Sequence, residues 1–146
     1  MEKKVSTNES ETYQIGFEMG KKLKGGELIV LDGDLGAGKT TFVRGLVAGT
    51  GSKSDVSSPS FVIKNEYRAD DLIINHFDFY RLADPGILAD TLKEAMVDGR
   101  SISIIEWSDI VKDLLDKNKL IVKFSVLSDN ERLIEFDFDD SLKYLV

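Results

Sequence analysis

Residues 27–41 read E-L-I-V-L-D-G-D-L-G-A-G-K-T-T, an apolar run followed at once by a glycine-rich loop. From Gly33 to Thr40 the chain fits the phosphate-loop pattern G-x-x-x-x-G-K-[ST] without a mismatch. The preceding run is typical of a buried strand, and the segment that follows has apolar residues at helical spacing. A glycine-rich turn that happens to precede a helix is the alternative, but the complete motif in this context disfavours it. The sequence therefore predicts a phosphate-binding loop between a strand and a helix.

Each residue type in this loop has a chemical reason to be there. Glycines let backbone N–H groups turn inward and approach phosphate oxygens closely. The helix that begins near Lys39 adds the positive end of its dipole, and the Lys39 ammonium can reach the β- and γ-phosphates of a nucleotide. The Thr40 hydroxyl is a hard oxygen donor of the kind that Mg²⁺ prefers. We expect the nucleotide to contact the loop and the first helical turn: Asp34, Leu35, Gly36, Ala37, Gly38, Lys39, Thr40 and Thr41.

Phosphate-loop enzymes usually supply an acidic residue from the end of a second strand, bound to Mg²⁺ directly or through water. The two candidates are Asp78, which follows L-I-I-N-H-F at 72–77, and Glu106, which follows the more obviously buried strand I-S-I-I at 102–105. A carboxylate that ends a buried strand must be paired, hydrated or metal-bound, because leaving it unpaired is costly. For each residue, the alternative to a metal role is an ion pair with a nearby cation. That alternative is less favoured for Glu106 than for Asp78. Hydroxyls of the loop 57–61, including Ser60, could complete the Mg²⁺ shell, although the residues alone favour an ordinary serine-rich turn.

Three residues near these motifs are expected to have structural roles. The single histidine, His76, is interpreted as a core residue rather than a catalytic one. Trp107 could stack on a ligand or partner, but core packing is favoured. Asp34, inside the loop, is interpreted as a solvated turn residue.

The composition is that of one ordinary globular domain over residues 1–146. Hydrophobic residues make up 42% and charged residues 31%, which excludes disorder throughout the chain. There is no cysteine and only one histidine, so disulfides, cysteine metal sites and multi-histidine metal sites are excluded. The apolar runs are far shorter than the roughly 20 residues of a membrane span, so no membrane association is expected. No apolar segment follows the N-terminal lysines, which argues against a signal peptide and favours the cytoplasm.

Charge and missing motifs narrow the function further. With 19 basic and 26 acidic residues, a formal net charge of −7, the chain is not expected to bind nucleic acid strongly by itself. Residues 116–119 read D-K-N-K, not the guanine-reading order N-K-x-D, so a GTPase is unsupported. The five arginines form no cluster like the lid of a small-molecule kinase, and Arg81 is the only one close to a motif. A minimal ATPase fits best, while a P-loop small-molecule kinase and a non-hydrolysing nucleotide-binding regulator remain alternatives.

Periodicity and turn residues predict the order of helices and strands. Helices are expected over residues 9–23 and 39–48, over a segment that begins at Asp84-Pro85 and closes at Gly99, and after Ser108 as a short capped helix. Strands are expected over residues 27–31, 61–67, 72–79, 101–106, 120–126 and 134–138, the second and third forming a hairpin. Because helices and strands intermingle, the expected class is α/β, with a mixed, mostly parallel central sheet flanked by helices.

Four motifs in this order resemble the TsaE (YjeE) family of bacterial ATPases, which are required for threonylcarbamoyladenosine modification of tRNA. They are G-D-L-G-A-G-K-T-T at 33–41, S-P-S-F at 58–61, H-F-D-F-Y-R at 76–81 and I-E-W at 105–107. The phosphate loop alone is generic, but its combination with H-x-D-x-Y-R and I-E-W is specific. The resemblance spans nearly the whole chain.

The resemblance implies a P-loop NTPase fold, ATP and Mg²⁺ as ligands, and weak hydrolysis by the isolated protein. It also implies work in a complex with the TsaB and TsaD proteins, with tRNA reached through that complex. By resemblance, Lys39 and Thr40 hold phosphate and Mg²⁺, and Asp78 is the strand-end metal acid. Glu106 positions or deprotonates water, or adds to the metal shell. Ser60 stands where the family usually has threonine in S-P-T-F, which keeps the hydroxyl and loses a methyl group.

Overall fold

Seven strands form one sheet in the computed structural model, which describes residues 1–34, 36–56, 64–79 and 86–146. They are β1 (Glu2–Ser6), β2 (Leu28–Asp32), β3 (Lys64–Ala69), β4 (Leu72–Asp78), β5 (Ser101–Glu106), β6 (Leu120–Val126) and β7 (Arg132–Asp137). Their order across the sheet is β1-β7-β6-β2-β5-β4-β3. The neighbours β6, β2, β5 and β4 are parallel, whereas β7 and β3 run against their neighbours. The sheet is therefore mixed and mostly parallel, as predicted.

Helices cover both faces of the central strands. They are α1 (Glu9–Gly20), α2 (Lys39–Gly49) and α3 (Ile87–Val97), with two 3₁₀ helices over Ser108–Leu114 and Asp140–Leu145. One apolar cluster joins α1 and α2 to the sheet, and a second joins α3 and the first 3₁₀ helix to the opposite face. Burial on both faces explains why all six residues of β5 are buried. Among the described residues, no helix combines the length and the apolar character that a bilayer crossing needs.

Glycines allow α1 and α2 to pack backbone against backbone. A Cβ built on Gly45 of α2 would lie 2.0 Å from the Tyr13 carbonyl oxygen. A Cβ built on Gly16 of α1 would lie 2.2 Å from the Phe42 carbonyl oxygen. No larger side chain fits at either position unless the helices move apart. This contact holds the start of α1 beside the start of α2, where the phosphate loop ends.

The predicted helices and strands agree with the structure in the centre of the sheet and differ from it at the edges. β1 has no counterpart among the predictions, because its sequence E-K-K-V-S is polar and buries only Ser6. The 3₁₀ helix over Asp140–Leu145 was likewise not predicted. α1 ends at Gly20, before the predicted end. Ser108 does not cap an α-helix: the segment is a 3₁₀ helix, and Trp107 occupies its N-cap position in the left-handed conformation.

Several predictions fall on residues outside the described ranges. They concern Leu35 of the phosphate loop, the loop 57–61 with Ser60, the residues Tyr80 and Arg81, and the helix start at Asp84-Pro85. The strand predicted over residues 61–67 is described from Lys64 onward, where it pairs antiparallel with β4 as expected.

Candidate active site

Glycines shape the phosphate loop where it leads into α2. Gly33, Gly36 and Gly38 have φ angles of +152°, +78° and +104°, which side chains with a Cβ rarely adopt. α2 starts at Lys39 with Gly38 at its N-cap, and no side chain caps its first N–H groups. Those groups therefore remain available to a ligand, and the helix dipole favours an anion there.

The Lys39 side chain is buried at this loop and has three partners. Its Nζ donates a 2.7 Å hydrogen bond to the Gly33 carbonyl. The same atom lies 3.7 Å from Glu106 Oε1 and 4.3 Å from the centre of the Trp107 ring. A carboxylate and an aromatic face both stabilise a cation, so these contacts hold the ammonium at the mouth of the loop.

Asp78 and Glu106 end neighbouring parallel strands and are paired in register across β4 and β5. Both carboxylates line one cleft of about 260 Å³. The site residues around that cleft are Gly36, Gly38, Lys39, Thr40, Thr41, Asp78 and Glu106. The structure thus brings together both predicted carboxylates and the lysine and threonine of the loop. Asp34 is exposed, as expected of a solvated turn residue, and with Ala37 it lines an adjacent hollow rather than this cleft.

Glu106 is nearly enclosed, with 4% of its surface exposed. Its Oε2 lies 2.5 Å from Nε2 of His76, whose ring is fully buried. His76 is a core residue, as expected, but it contacts the site's most buried carboxylate, which was not foreseen. The two oxygens of Glu106 therefore have different neighbours, His76 on one side and Lys39 on the other.

Trp107 packs partly against the second apolar cluster, as predicted, but its ring also lines the cleft beside Lys39. Its φ angle is +57°, a conformation that is uncommon for a bulky residue. Such a conformation persists only where the surrounding structure holds it. The backbone turn directly after Glu106 therefore directs the indole over the loop lysine.

Two further segments line the cleft and were not singled out from the sequence. One is the start of α1, with Asn8, Glu9 and Thr12. The Asn8 side chain accepts a hydrogen bond from the Glu11 N–H, and the Glu11 carboxylate accepts from Thr7, which fixes this helix end. These two bonds from Thr7 also lower the pKa of Glu11. The pattern N-x-x-E is a local signal that could have located the helix start, although not its place at the cleft.

The other segment is the turn between β6 and β7, with Asp129 and Asn130, together with Arg132 at the start of β7. The Arg132 guanidinium donates to the Gly36 carbonyl and to carbonyls of its own turn. Arg132 corrects the expectation that Arg81 is the only arginine close to a motif. No local pattern marks it, because its approach to the phosphate loop depends on β6 lying next to β2.

A comparison with protein families completes the description of the site. A family model described as threonylcarbamoyl adenosine biosynthesis protein TsaE matches residues 6–134, a range that contains the whole lining of the cleft. The chain belongs to the TsaE family. The four motifs on which the resemblance rests all lie within the matched range.

Relatives in the TsaE family are similar to this chain over most of their length. Three are named tRNA threonylcarbamoyladenosine biosynthesis protein TsaE. The protein from Rickettsia felis is 34% identical over 97% of this chain and 83% of its own. The Bacillus subtilis protein is 34% identical over 90% of this chain and 82% of its own length. The Treponema pallidum protein is 35% identical over 89% of this chain and 96% of its own length. The crystal structure of Bacillus subtilis YdiB superimposes with a TM-score of 0.80 at 28% identity, covering 99% of this chain and 90% of YdiB. The predicted family and P-loop NTPase fold are confirmed.

Proposed function

We propose that this chain is the Mg²⁺-dependent ATP-binding and ATP-hydrolysing subunit of the bacterial complex that makes threonylcarbamoyladenosine in tRNA. The observation that carries the proposal is the convergence of Lys39, Thr40, Asp78 and Glu106 on one cleft at the start of α2. Membership of the TsaE family supports the biosynthetic role, because its relatives are named for it.

The phosphates of ATP occupy the loop end of the cleft in this proposal. The open N–H groups of the loop and of the first turn of α2 bind the phosphate oxygens. Lys39 exchanges its hydrogen bond to the Gly33 carbonyl for bonds to the β- and γ-phosphates. The nucleotide-contacting set remains Asp34 to Thr41, including Leu35. The nucleoside extends toward Asn8 and Arg132, which line the other part of the same cleft.

The donors at the cleft fit Mg²⁺. Among the described residues, no three His, Asp or Glu side chains form a metal site by themselves. Mg²⁺ needs no such cluster, since it is usually held by one or two carboxylates, with water and phosphate oxygens completing its shell. Thr40, Asp78 and Glu106 offer hard oxygens around one cleft, and Ser60 is a further proposed ligand. When bound, the ion neutralises charge on the phosphates during transfer.

The catalytic work falls to Lys39, Asp78 and Glu106. Lys39 stabilises negative charge on the phosphoryl oxygens during transfer, because its ammonium lies at the mouth of the loop. Glu106 orients the attacking water or accepts its proton, since its carboxylate faces the cleft from the end of a rigid, buried strand. Asp78 belongs to the shell of the metal.

TsaB and TsaD are the proposed partners, and tRNA is reached through them in the cytoplasm. A chain with a net charge of −7 lacks the excess of cations that tRNA binding requires, so the basic surface must come from another subunit. Hydrolysis by the isolated chain is expected to be weak. Among the described residues, Arg132 is the one arginine that lines the cleft, and a partner could supply a second cation or position the loop.

The test is ATP binding and hydrolysis by the Lys39→Ala and Thr40→Ala variants, with TsaB and TsaD present and absent. Lys22→Ala, at an exposed position away from the cleft, is the matched control. We expect phosphate release to water by the wild type and the control, and severe loss in the two loop variants without unfolding by circular dichroism. Unchanged affinity and turnover in both variants would refute the proposal. Transfer of phosphate to a metabolite would favour a kinase, and binding with no release even with partners would favour a regulator.

A further inference from the structure

A buried histidine stands directly behind the site's most buried carboxylate. His76 lies on β4, two positions before Asp78, and none of its ring is exposed. Its Nε2 is 2.5 Å from Glu106 Oε2, a contact between two adjacent parallel strands. Neither the sequence motifs nor the family relationship assigns this contact a role.

The chemistry of the ring settles which atom donates. Among the described residues, Nδ1 of His76 has no hydrogen-bond partner, and it is buried. A neutral imidazole carries a single N–H, and an N–H buried without an acceptor is costly. Nε2 is therefore the ring nitrogen that donates, and the Glu106 carboxylate accepts.

This hydrogen bond controls the orientation of Glu106. One carboxylate oxygen of Glu106, Oε2, is held by His76, and the other, Oε1, is 3.7 Å from Lys39 Nζ; the residue lines the cleft. Without the bond to His76, the carboxylate could rotate and turn either oxygen toward the lysine. A group that fixes the orientation of a site carboxylate commonly contributes about 10- to 100-fold to activity or metal affinity.

We propose that His76 is a positioning residue for ATP hydrolysis: its Nε2–H holds Glu106 Oε2 and keeps Oε1 directed at Lys39 and the phosphates. The inference rests on the proposed function, because Glu106 acts on a nucleotide only if one binds in the cleft. His76 itself touches neither the nucleotide nor the water. The competing explanation is that His76 only fills space in the protein core.

Three substitutions separate positioning from space filling. In His76→Gln, an amide N–H stands at about the position of Nε2, whereas in His76→Asn it stands at about the position of Nδ1. His76→Leu fills the space with no donor. With TsaB and TsaD present, we expect kcat to fall about 10- to 100-fold in His76→Asn and His76→Leu. Nucleotide affinity should stay within about threefold, and His76→Gln should recover most of the rate, because the lost interaction acts on the reaction step.

A spectroscopic measurement tests the same hydrogen bond without activity. Because His76 is the only histidine, a long-range ¹H–¹⁵N spectrum of the labelled chain reports this one ring. We expect a proton on Nε2, and an Nε2–H resonance that moves in Glu106→Gln. An Nε2 that carries no proton, or a resonance unaffected by Glu106→Gln, would overturn the proposal even if the His76 variants do not fold.

The outcomes for the two proposals are distinct. Normal turnover in a folded His76→Leu variant would refute positioning and leave the ATPase proposal intact. Loss of rescue in His76→Gln, with the same deficit as His76→Leu, would also count against positioning. An inactive wild-type chain that binds no ATP would instead refute the proposed function, while the spectrum would still report the hydrogen bond.

Discussion

The guanidinium of Arg132 donates a 3.4 Å hydrogen bond to the carbonyl of Gly36, although 96 positions separate the two residues. The bond joins the β6–β7 turn to the phosphate loop across the cleft. Three carbonyls of the turn also accept from Arg132, so the cation is held in place before any ligand arrives. A half-buried cation held beside a phosphate loop is well placed to contact a nucleotide.

Arg132→Ala should weaken ATP binding about tenfold, the loss expected for one partly exposed charge-assisted hydrogen bond. Arg44→Ala is the matched control, because it removes the same charge from an exposed position on α2. Titration of each variant with ATP and Mg²⁺ gives the dissociation constants. Equal affinity in Arg132→Ala and the control would show that Arg132 serves only the turn.

Asp78→Asn and Glu106→Gln should have separable effects. If Asp78 belongs to the metal shell, its loss weakens Mg²⁺-linked nucleotide binding as well as turnover. Glu106→Gln should leave binding nearly intact and lower kcat by about 10²–10⁴-fold, because orienting or deprotonating water matters only in the transition state. ATP affinity and turnover are measured with TsaB and TsaD present. A Glu106→Gln variant that cannot bind ATP, beside an Asp78→Asn variant that binds normally, would reverse the two roles.

The isolated chain should bind tRNA poorly. Its net charge is −7, and non-specific RNA binding depends on clustered cations that release counterions. Filter binding or fluorescence anisotropy at low and moderate salt would show little binding without partners. Tight, salt-sensitive binding by the chain alone would place the RNA site on this subunit.

Gly45→Ala should destabilise the fold. The added methyl group would lie 2.0 Å from the Tyr13 carbonyl oxygen, so α1 and α2 must separate. Such overpacking typically costs about 1–3 kcal/mol of unfolding free energy, more than the roughly 1 kcal/mol that alanine gains over glycine in a helix. Gly99→Ala is the control, because no atom lies within 4 Å of its added Cβ. Urea unfolding followed by circular dichroism would show a loss for Gly45→Ala and almost none for Gly99→Ala.

Tyr144→Phe should change how stability depends on alkaline pH. The Tyr144 hydroxyl donates a 2.7 Å hydrogen bond to Glu27, and burial, with that bond and the Glu27 charge, raises the pKa of Tyr144 well above its ordinary value. A tyrosine whose pKa is raised by folding contributes its full stabilisation at pH values below the pKa of the unfolded chain, which is about 10. The contribution is lost as the pH rises above about 10, because the unfolded chain then loses the proton before the folded one does. Above that pH, the free energy of unfolding should therefore fall more steeply with pH for the wild type than for Tyr144→Phe.

Near neutral pH the Tyr144→Phe variant should be less stable by about 0.5–1.5 kcal/mol, the usual contribution of one hydrogen bond. Tyr13→Phe removes a hydroxyl from α1 and serves as the control. Urea unfolding at pH 7 and at several values above pH 9 provides both comparisons. Parallel curves for the wild type and Tyr144→Phe would contradict the assignment of this bond.

The strand, loop and helix around residues 27–49 are predictable from local signals alone. A buried parallel strand is apolar throughout, the phosphate loop needs glycines at set positions, and α2 has apolar residues at helical spacing. Glu106 was a candidate for the same reason, since it ends an apolar run, whereas Asp78 follows a run that contains Asn75 and His76 and was assigned to the metal by resemblance. β1 and the C-terminal 3₁₀ helix lack such local signals. β1 forms because it pairs with β7, and the 3₁₀ helix forms because it packs on the core.

Only the tertiary structure places Arg132 and the start of α1 at the phosphate loop and His76 against Glu106. Each of these contacts joins segments that are distant in the chain, and none has a periodic pattern that marks it. The order of strands in the sheet brings β6 beside β2 and β4 beside β5, and the glycine contact sets α1 against α2. Local sequence therefore determined the strand, the glycine-rich loop and the helix that follows it, while strand order and helix packing determined which distant side chains surround them.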